Sequence, residues 1–514
     1  MTDDSTPTAE LATRVEALRS AAAAVGAALA GRARERTSPA CERAILRMCG
    51  VSGLSTASRP LALDVVEHLA AGRSDLLAHG VALPFAVAAN EYDLEPQQLA
   101  LEIADGHVDL GMETPLLDEP ARRAAASRTF AAWIEAAWER FEVTRTARGE
   151  LIQAFGDARK PWLASELRPF DAEHASGDAA ALVPAGCDVL RVRVPPDGEL
   201  RRDMSEVTDE AEWPVGTDAP APAGSQRGLA RLRRELDETA ARHGRYVRLA
   251  TRRVGLAAPE QAVVAGFERV DVVFSDPMDA IFEIGVDADR ALADHAFAQR
   301  ILVRAGSTLV LGAGPLASPE LASGQSLDAA TRAGRALALQ ALSVAFALDN
   351  GIPADRLALG AVPAAALGGA GAGPRAVAEV ALRQLLFPRQ RLVVDEQMFE
   401  GIDASLPGAL VSWAGAGASI GCIVSTAPVP HFATAVGHLR GAMDAASWLL
   451  EGREIGELRG AALEHGRATL DAALRAVRTL AVSGPQAFVA PGARSIGGAG
   501  CVALEGGARE PVLG

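Results

Sequence analysis

Eight short runs rich in β-branched and apolar residues lie between residues 162 and 425, and most are followed by a stretch with helical spacing. Alternation of this kind predicts a parallel sheet covered by helices. Eight strand–helix units in about 270 residues favour a TIM (β/α)8 barrel over an open doubly wound sheet. The predicted strands are Trp162–Leu167, Asp188–Val194, Tyr246–Thr251, Val270–Ser275, Ser307–Leu311, Arg356–Ala361, Arg391–Asp395 and Ile420–Ser425. The predicted intervening helices include Gln226–His243, Ala288–Val303, Leu327–Leu348 and Arg375–Leu386.

Helical periodicity also dominates both sides of this α/β region. Apolar residues recur at helical spacing over residues 9–31, and further helices are predicted at 39–50, 60–72, 94–104, 119–148, 432–450 and 455–482. The expected organisation is an N-terminal helix or arm (1–37), a helical domain (38–155), the barrel (156–430), C-terminal helices (431–484) and a flexible tail (485–514).

Composition excludes several classes of function. The formal net charge is −15, with 50 Lys+Arg against 65 Asp+Glu, so we expect no nucleic-acid partner. The start of the sequence, MTDDSTPTAE, lacks a basic region, and the uncharged stretch 404–439 is broken by prolines, so we expect neither a signal peptide nor a membrane span. Five cysteines without a CxxC spacing argue against a zinc cluster or a disulfide framework. The predicted location is the cytoplasm.

Active residues of a TIM barrel lie at the carboxyl ends of its strands. The arginines there could hold a phosphate or a carboxylate, because a guanidinium group matches both, and Asp276 or Glu396 could act as acid or base. The alternative is that these are salt-bridged loop residues. The candidates are Glu166, Arg168, Arg193, Thr251, Arg252, Arg253, Ser275, Asp276, Asp395, Glu396, Ser425 and Thr426.

Other features of the barrel region are less specific. The Asp395–Glu396 pair could bind a metal, but no histidine lies at a strand end, so we expect no metal site. Gly312–Gly314 and Gly368–Gly373 could hold phosphate, although neither carries a full nucleotide-binding signature and both are typical of flexible loops. The polar, proline-rich segment 196–224 follows the second strand and is predicted to be a long loop on the catalytic face.

Four segments resemble one family. The stretch GRYVRLATRRVGLAAPEQAVVAGFERVDVVFSDPMDAIF (244–282) is similar to the barrel of the lysine 5,6-aminomutase α subunit. The segment PACERAILRMCGVSG (39–53) is similar to the family's N-terminal helix, and RKPWLASEL with AGCDVLRVR resembles its first two strands. HGVALPFAVAANEY and EIADGHVDL fit its helical cap, so the resemblance covers residues 38–430.

This resemblance implies an isomerase that uses adenosylcobalamin and pyridoxal phosphate to move an amino group to the adjacent carbon of lysine or a related amino acid. In that family a β subunit carries the cobalamin-binding domain and the lysine that forms the Schiff base. The present chain has one lysine, Lys160, just before the first strand, and it lacks the cobalamin motif DxHxxG. The resemblance therefore implies a hetero-oligomer with a cobalamin-binding β-type partner that anchors both cofactors.

Several of the family's polar positions are occupied by other residues here. Val254 replaces a serine, Asp279 replaces a tyrosine that stacks on the cofactor, and Ile284 replaces an arginine. We predict cofactor binding by Arg193, Arg252, Arg253, Ser275 and Asp276, and we assign no catalytic residue. The alternatives are a catalytically degenerate paralogue that serves as a binding or regulatory subunit of a mutase, and an unrelated barrel enzyme that uses these arginines and Asp276 on a small anionic substrate.

Overall fold

Eight parallel strands close into a barrel, as the sequence predicts. Every strand lies within two residues of its expected bounds, and the barrel closes where Trp162–Ser165 of the first strand pairs with Cys422–Ser425 of the last. In chain order the strands are β1 (Trp162–Leu167), β2 (Val189–Arg193), β3 (Arg248–Arg252), β4 (Val272–Phe274), β5 (Thr308–Leu311), β6 (Leu357–Gly360), β7 (Arg391–Asp395) and β8 (Ile420–Ser425).

The computed structural model describes most of the barrel and the helices around it. The residues that follow several of the strands fall outside it, as do the predicted loop 196–224 and the predicted helix 432–450. The described residues are 5–53, 55–56, 61–70, 74–113, 118–158, 162–167, 172–193, 226–252, 258–312, 328–360, 372–395, 420–425, 456–485 and 501–504. No helix within these ranges has the length and apolarity that a membrane crossing needs.

Side chains at alternate strand positions fill the barrel interior, as expected when one face of each strand points inward. Small and β-branched residues dominate this inner cluster, with one indole ring, Trp162, at the amino end and one phenyl ring, Phe274, towards the carboxyl end. A remaining cavity of about 20 Å³ lies among them, and it has room for one water-sized group. The barrel is therefore a filled core, and ligand chemistry belongs at its ends.

The helices follow the predicted order. The N-terminal part contains α1 (Ser5–Arg34), α2 (Pro39–Met48), α3 (Leu61–Ala70), α4 (Ser74–His79), α5 (Ala82–Tyr92), α6 (Pro96–Ala104), α7 (Leu110–Glu113) and α8 (Pro120–Phe155). Within and after the barrel are α9 (Ala172–Leu182), α10 (Gln226–His243), α11 (Ala258–Phe267), α12 (Pro277–Asp279), α13 (Ala288–Arg304), α14 (Ala329–Asp349), α15 (Ala372–Leu386) and α16 (Gly456–Ser483). A π-helical turn, Ala280–Ile284, continues α12.

Helices from both ends of the chain pack against the barrel helix α14. A Cβ atom on Gly26 of α1 would lie 2.4 Å from Ala345 Cβ, and one on Gly334 of α14 would lie 2.4 Å from Ala472 Cβ of α16. Both contacts are too close for any side chain, so glycine allows the helix backbones to approach. Close packing thus joins α1, α14 and α16 into one layer.

A two-stranded antiparallel pair lies outside the barrel and was not predicted. Arg36–Thr37 pairs with Val502–Ala503, and Leu504 N donates to Glu35 O over 2.8 Å. Residues 501–504 fall in the segment 485–514, for which the sequence predicts a flexible tail and no strand. The reason is that a two-residue strand is too short to show alternation in the sequence.

Buried charges link the N-terminal helices to the barrel. Arg43 of α2 and Glu260 of α11 are both about 1% exposed and form two parallel hydrogen bonds of 2.9 and 3.0 Å. Arg148 of α8 donates to Asp271 Oδ1 over 2.8 Å, to Ala305 O over 2.7 Å and to Val270 O over 3.0 Å. Both arginines satisfy the rule that a buried charge needs a partner.

Asp271 is the centre of a buried polar cluster just before β4. Besides Arg148, it accepts hydrogen bonds from Tyr246 Oη (2.9 Å), Arg233 Nη1 (3.1 Å) and Leu249 N (2.8 Å). Burial raises the pKa of Tyr246 to about 12, and the charge of Asp271 adds to the effect. The phenol therefore remains a donor at neutral pH. The cluster holds α8, α10 and the first residues of β3 and β4 together.

We predict that Arg148→Ala strongly destabilises the protein. Removing one partner from a buried ion pair costs about 3–5 kcal/mol, because the other charge stays buried without compensation. Arg145→Ala is the matched control, since Arg145 lies on the same helix in an exposed ion pair with Glu142, whose loss costs about 0–1 kcal/mol. Urea unfolding followed by circular dichroism measures both, and equal shifts of the two midpoints would contradict the assignment.

Tyr246 leads to a pH-dependent prediction. The pKa of Tyr246 is raised in the folded state, so its hydrogen bond stabilises the protein fully below the unfolded tyrosine pKa of about 10. This stabilisation is lost as the pH rises from about 10 towards about 12. Tyr246→Phe should therefore be less stable than the wild type at pH 8, and the difference should shrink above pH 10. A difference that is constant across this range, measured by urea unfolding, would refute the prediction.

Candidate active site at the carboxyl end of the barrel

A buried ion pair marks the carboxyl end of the barrel. Glu166 of β1 and Arg191 of β2 are register partners and form a salt bridge, with side chains that are 9% and 3% exposed. The Arg191 Cζ atom lies 5.1 Å from the centre of the Phe274 ring of β4. The carboxylate and the ring together fix the direction of the guanidinium group. This end of the barrel therefore carries a cation and an anion at fixed positions.

Two further arginines occupy adjacent strand ends. Arg193 ends β2, Arg252 ends β3, and the two are register partners. Each lies two residues beyond a residue that lines the interior, Arg191 and Ala250 respectively. The backbone thus brings two of the predicted cofactor-binding positions together, next to the Glu166–Arg191 pair. A pair of arginine positions at a barrel mouth suits a phosphate or a carboxylate.

Asp276 follows β4 and serves the scaffold. It is buried, and its Oδ1 atom accepts from Met278 N (2.7 Å) and Ser343 Oγ (2.6 Å), while Oδ2 accepts from Gly312 N (2.7 Å). These bonds begin helix α12 and tie the end of β4 to the end of β5 and to α14. Its predicted role in ligand binding stays a prediction, and its observed partners are all protein groups.

A buried histidine lies near this aspartate. His295 of α13 donates from Nδ1 to Ala291 O over 2.8 Å. Burial lowers the pKa of His295, so the ring is neutral at physiological pH. Burial also raises the pKa of Asp276, and the hydrogen bonds from Ser343 and Met278 oppose that effect. The pair thus belongs to the layer between the barrel and its helices.

The remaining sequence candidates fall into two groups. The Thr251 side chain is fully buried. It is in register with Val192 and Val273, which pack towards the helices, so it lies on the helix-facing side of the sheet and does not point into the barrel. Ser275 follows β4 and donates from its backbone N to Val310 O over 3.2 Å. For Asp395 and Ser425, the structure describes only the backbone, which belongs to β7 and β8. Outside the described residues lie Arg168, Arg253, Glu396, Thr426, Ala313, Gly314 and Gly368–Gly371.

Arg191 was not among the candidate residues predicted from the sequence. It lies two positions before Arg193 on the same strand, and residues two apart on a strand share a face. Counting two residues back from Arg193, the end of the strand, would have placed Arg191 in the barrel beside Glu166.

Among the described residues, no group of three or more His, Cys, Asp or Glu side chains could hold a metal ion.

We predict that Asp276→Ala destabilises the protein by about 3 kcal/mol or more, because three buried donors lose their acceptor at about 1–3 kcal/mol each. Asp328→Ala is the control, since Asp328 caps α14 at an exposed position and its loss costs about 1 kcal/mol. Urea unfolding of both variants tests the difference. A loss for Asp276→Ala no larger than that for Asp328→Ala would show that this carboxylate does not hold the strand ends together.

Comparison with solved structures gives only distant similarity. Dihydropteroate synthase from Anaplasma phagocytophilum matches with 16% identity and a TM-score of 0.35, over 57% of this chain and 100% of that chain. Rubisco from Pyrococcus horikoshii matches with 14% identity and a TM-score of 0.36, over 62% of this chain and 66% of that chain. Neither likeness is close enough to bear on function.

Comparison with known sequences is more informative. The lysine 5,6-aminomutase alpha subunit of Acetoanaerobium sticklandii is 27% identical over 326 residues, which is 63% of this chain and 59% of that protein. The alpha subunit of Fusobacterium nucleatum is 26% identical over 320 residues, or 62% and 58%. The match thus spans about three fifths of these relatives. The family model described as the D-lysine 5,6-aminomutase TIM-barrel domain of the alpha subunit matches residues 11–364. The chain therefore belongs to the lysine 5,6-aminomutase alpha-subunit family.

Proposed function

We propose that this chain is the α-type subunit of an aminomutase that depends on adenosylcobalamin and pyridoxal phosphate. Its reaction would move an amino group between adjacent carbons of lysine or a related amino acid, in the cytoplasm. Family membership over residues 11–364 is the observation that carries this proposal. The strand ends support it, since Arg193 and Arg252 are register partners there and arginine side chains bind phosphate or carboxylate groups well.

The residues at the mouth fit part of what pyridoxal phosphate needs. The register partners Arg193 and Arg252 place two arginine residues at adjacent strand ends, and a guanidinium group binds phosphate well. When bound, the cofactor would stabilise the substrate-derived radical that adenosylcobalamin initiates. The task of this chain is then to bind the charged ends of the ligand and to keep water from the reacting centre.

The chain's lysine content points to a partner. Lys160 is the only lysine, and it precedes β1 by two residues in the sequence, whereas the mouth lies beyond the other end of that strand. The proposed attachment of pyridoxal phosphate through a lysine therefore needs a second chain. We propose that a cobalamin-binding β-type subunit covers the mouth and contributes that lysine, which makes the active form a hetero-oligomer.

A catalytically degenerate paralogue is the second candidate, and one position favours it. Asp279, which stands where the family has a cofactor-stacking tyrosine, is the last residue of the short helix α12 that follows β4. Replacing an aromatic ring with a carboxylate at a strand end removes stacking and adds negative charge near a phosphate. A protein of this kind would bind its partner and regulate it without turning over an amino acid.

Reconstitution with the β-type partner tests the proposal. The complex should retain both cofactors after gel filtration and should show the absorption band of protein-bound pyridoxal phosphate. Arg193→Ala and Arg252→Ala should each weaken retention of pyridoxal phosphate by tenfold or more, about 1.4 kcal/mol, because each removes a charged phosphate donor. Arg231→Ala is the control, since Arg231 lies in an exposed ion pair with Glu235 on α10.

The outcome separates the two candidates. Turnover of lysine or a related amino acid by the loaded complex supports the aminomutase and rejects the paralogue. A stable complex that binds neither cofactor rejects the aminomutase and supports the paralogue. Unchanged retention in both arginine variants would show that the phosphate lies elsewhere.

A further inference from the structure

The amino end of the barrel, opposite the candidate active site, carries two guanidinium groups around one indole ring. Trp162, Arg248 and Arg391 are the first residues of β1, β3 and β7. The Cζ atom of Arg248 lies 3.7 Å from the centre of the Trp162 ring, and that of Arg391 lies 5.4 Å from it. Contact with an aromatic ring limits the directions that each guanidinium group can take.

The guanidinium group of Arg248 has more N–H donors than the described residues around it provide acceptors. Its side chain is 7% exposed, and its Nη2 atom forms an ion pair with Asp157 Oδ1 over 2.7 Å. Its Nη1 atom is buried and has no hydrogen-bond partner among the residues that the structure describes. A buried donor without an acceptor is costly, so an acceptor is expected at this atom.

Arg391 is the second arginine beside Trp162. It is half-buried, and within the described part of the chain it has no hydrogen bond and no ion pair. Burial lowers its pKa, and the neighbouring charges of Arg248 and Arg356 lower it further. Asp157 and Asp355 act in the opposite direction, but Asp157 is already paired with Arg248. Arg248 and Arg356 thus bring positive charge close to Arg391.

We propose that Arg248 and Arg391 bind one small oxyanion, of the phosphate or carboxylate class, at the amino end of the barrel. Such an anion would accept from Arg248 Nη1 and from the guanidinium group of Arg391, and its charge would offset the excess positive charge. Oxyanions match guanidinium groups better than a spherical ion does, because two parallel hydrogen bonds can form. The interior cavity of about 20 Å³ is too small for a phosphate, so the anion would approach from the solvent-exposed side of the half-buried Arg391.

Isothermal titration calorimetry of the full chain tests this site. Sodium phosphate, sodium acetate and sodium chloride are titrated separately at constant ionic strength. The wild type should bind phosphate or acetate saturably at one site that Arg391→Gln weakens at least tenfold. Arg391→Lys should weaken binding less than Arg391→Gln does, because lysine keeps the positive charge but cannot form two parallel hydrogen bonds to the anion. Arg389→Gln, two residues earlier and exposed, should bind like the wild type.

Each outcome decides the proposal. Binding of phosphate alone identifies a phosphate-type site, and binding of acetate as well identifies a site that also takes carboxylates. Absence of saturable binding of both oxyanions by the wild type overturns the proposal. Equal affinity in the wild type and in Arg391→Gln overturns it too, because the anion would then lie elsewhere. If Arg391→Gln does not fold, as judged by circular dichroism, Arg391→Lys takes its place. Equal affinity for the anion in Arg391→Lys and in the wild type then overturns the proposal.

Discussion

The carboxylate of Asp271 is the interaction on which the rest of the structure depends. It lies just before β4 and accepts hydrogen bonds from a helix of the N-terminal domain, from a barrel helix and from the strand region before and within β3. A charge buried this deeply is tolerated only because every oxygen has donors. Its four donors lie between 22 and 123 residues from it in the sequence, so the cluster can form only in the correct fold. The cluster fixes the position of β4, and β4 in turn positions the residues of the candidate site at its carboxyl end.

The fold was predictable because its signals are local. Runs such as Arg391–Asp395 and Ile420–Ser425 are bounded by breaks in hydrophobic pattern, and their ends match the structure residue for residue. The buried ion pairs were not predictable, since Arg43, Arg148 and Arg233 sit in helices whose charged residues read as solvent-exposed. Only tertiary packing tells a buried arginine from a surface one.

The candidate site was predictable in outline and not in detail. Strand ends can be counted from the sequence, and this brings Arg193 and Arg252 together correctly as neighbours. The role of Asp276 depends on Gly312 and Ser343, which lie 36 and 67 residues away, and no short-range pattern connects them. The same limit explains Arg191, whose partner Glu166 lies 25 residues earlier on another strand.

The π-helical turn Ala280–Ile284 affects how this chain is compared with its family. A π turn holds one more residue than an α turn and often marks an insertion of a single residue. Each residue of an α-helix turns the chain by about 100°, and a residue of the wider π turn turns it by less. Asp279, where the sequence resemblance expects a tyrosine, immediately precedes this turn, and Ile284, where it expects an arginine, is the last residue of the turn. The residues from Asp279 to Ile284 therefore span a different angle about the helix axis than the same number of residues would in an α-helix.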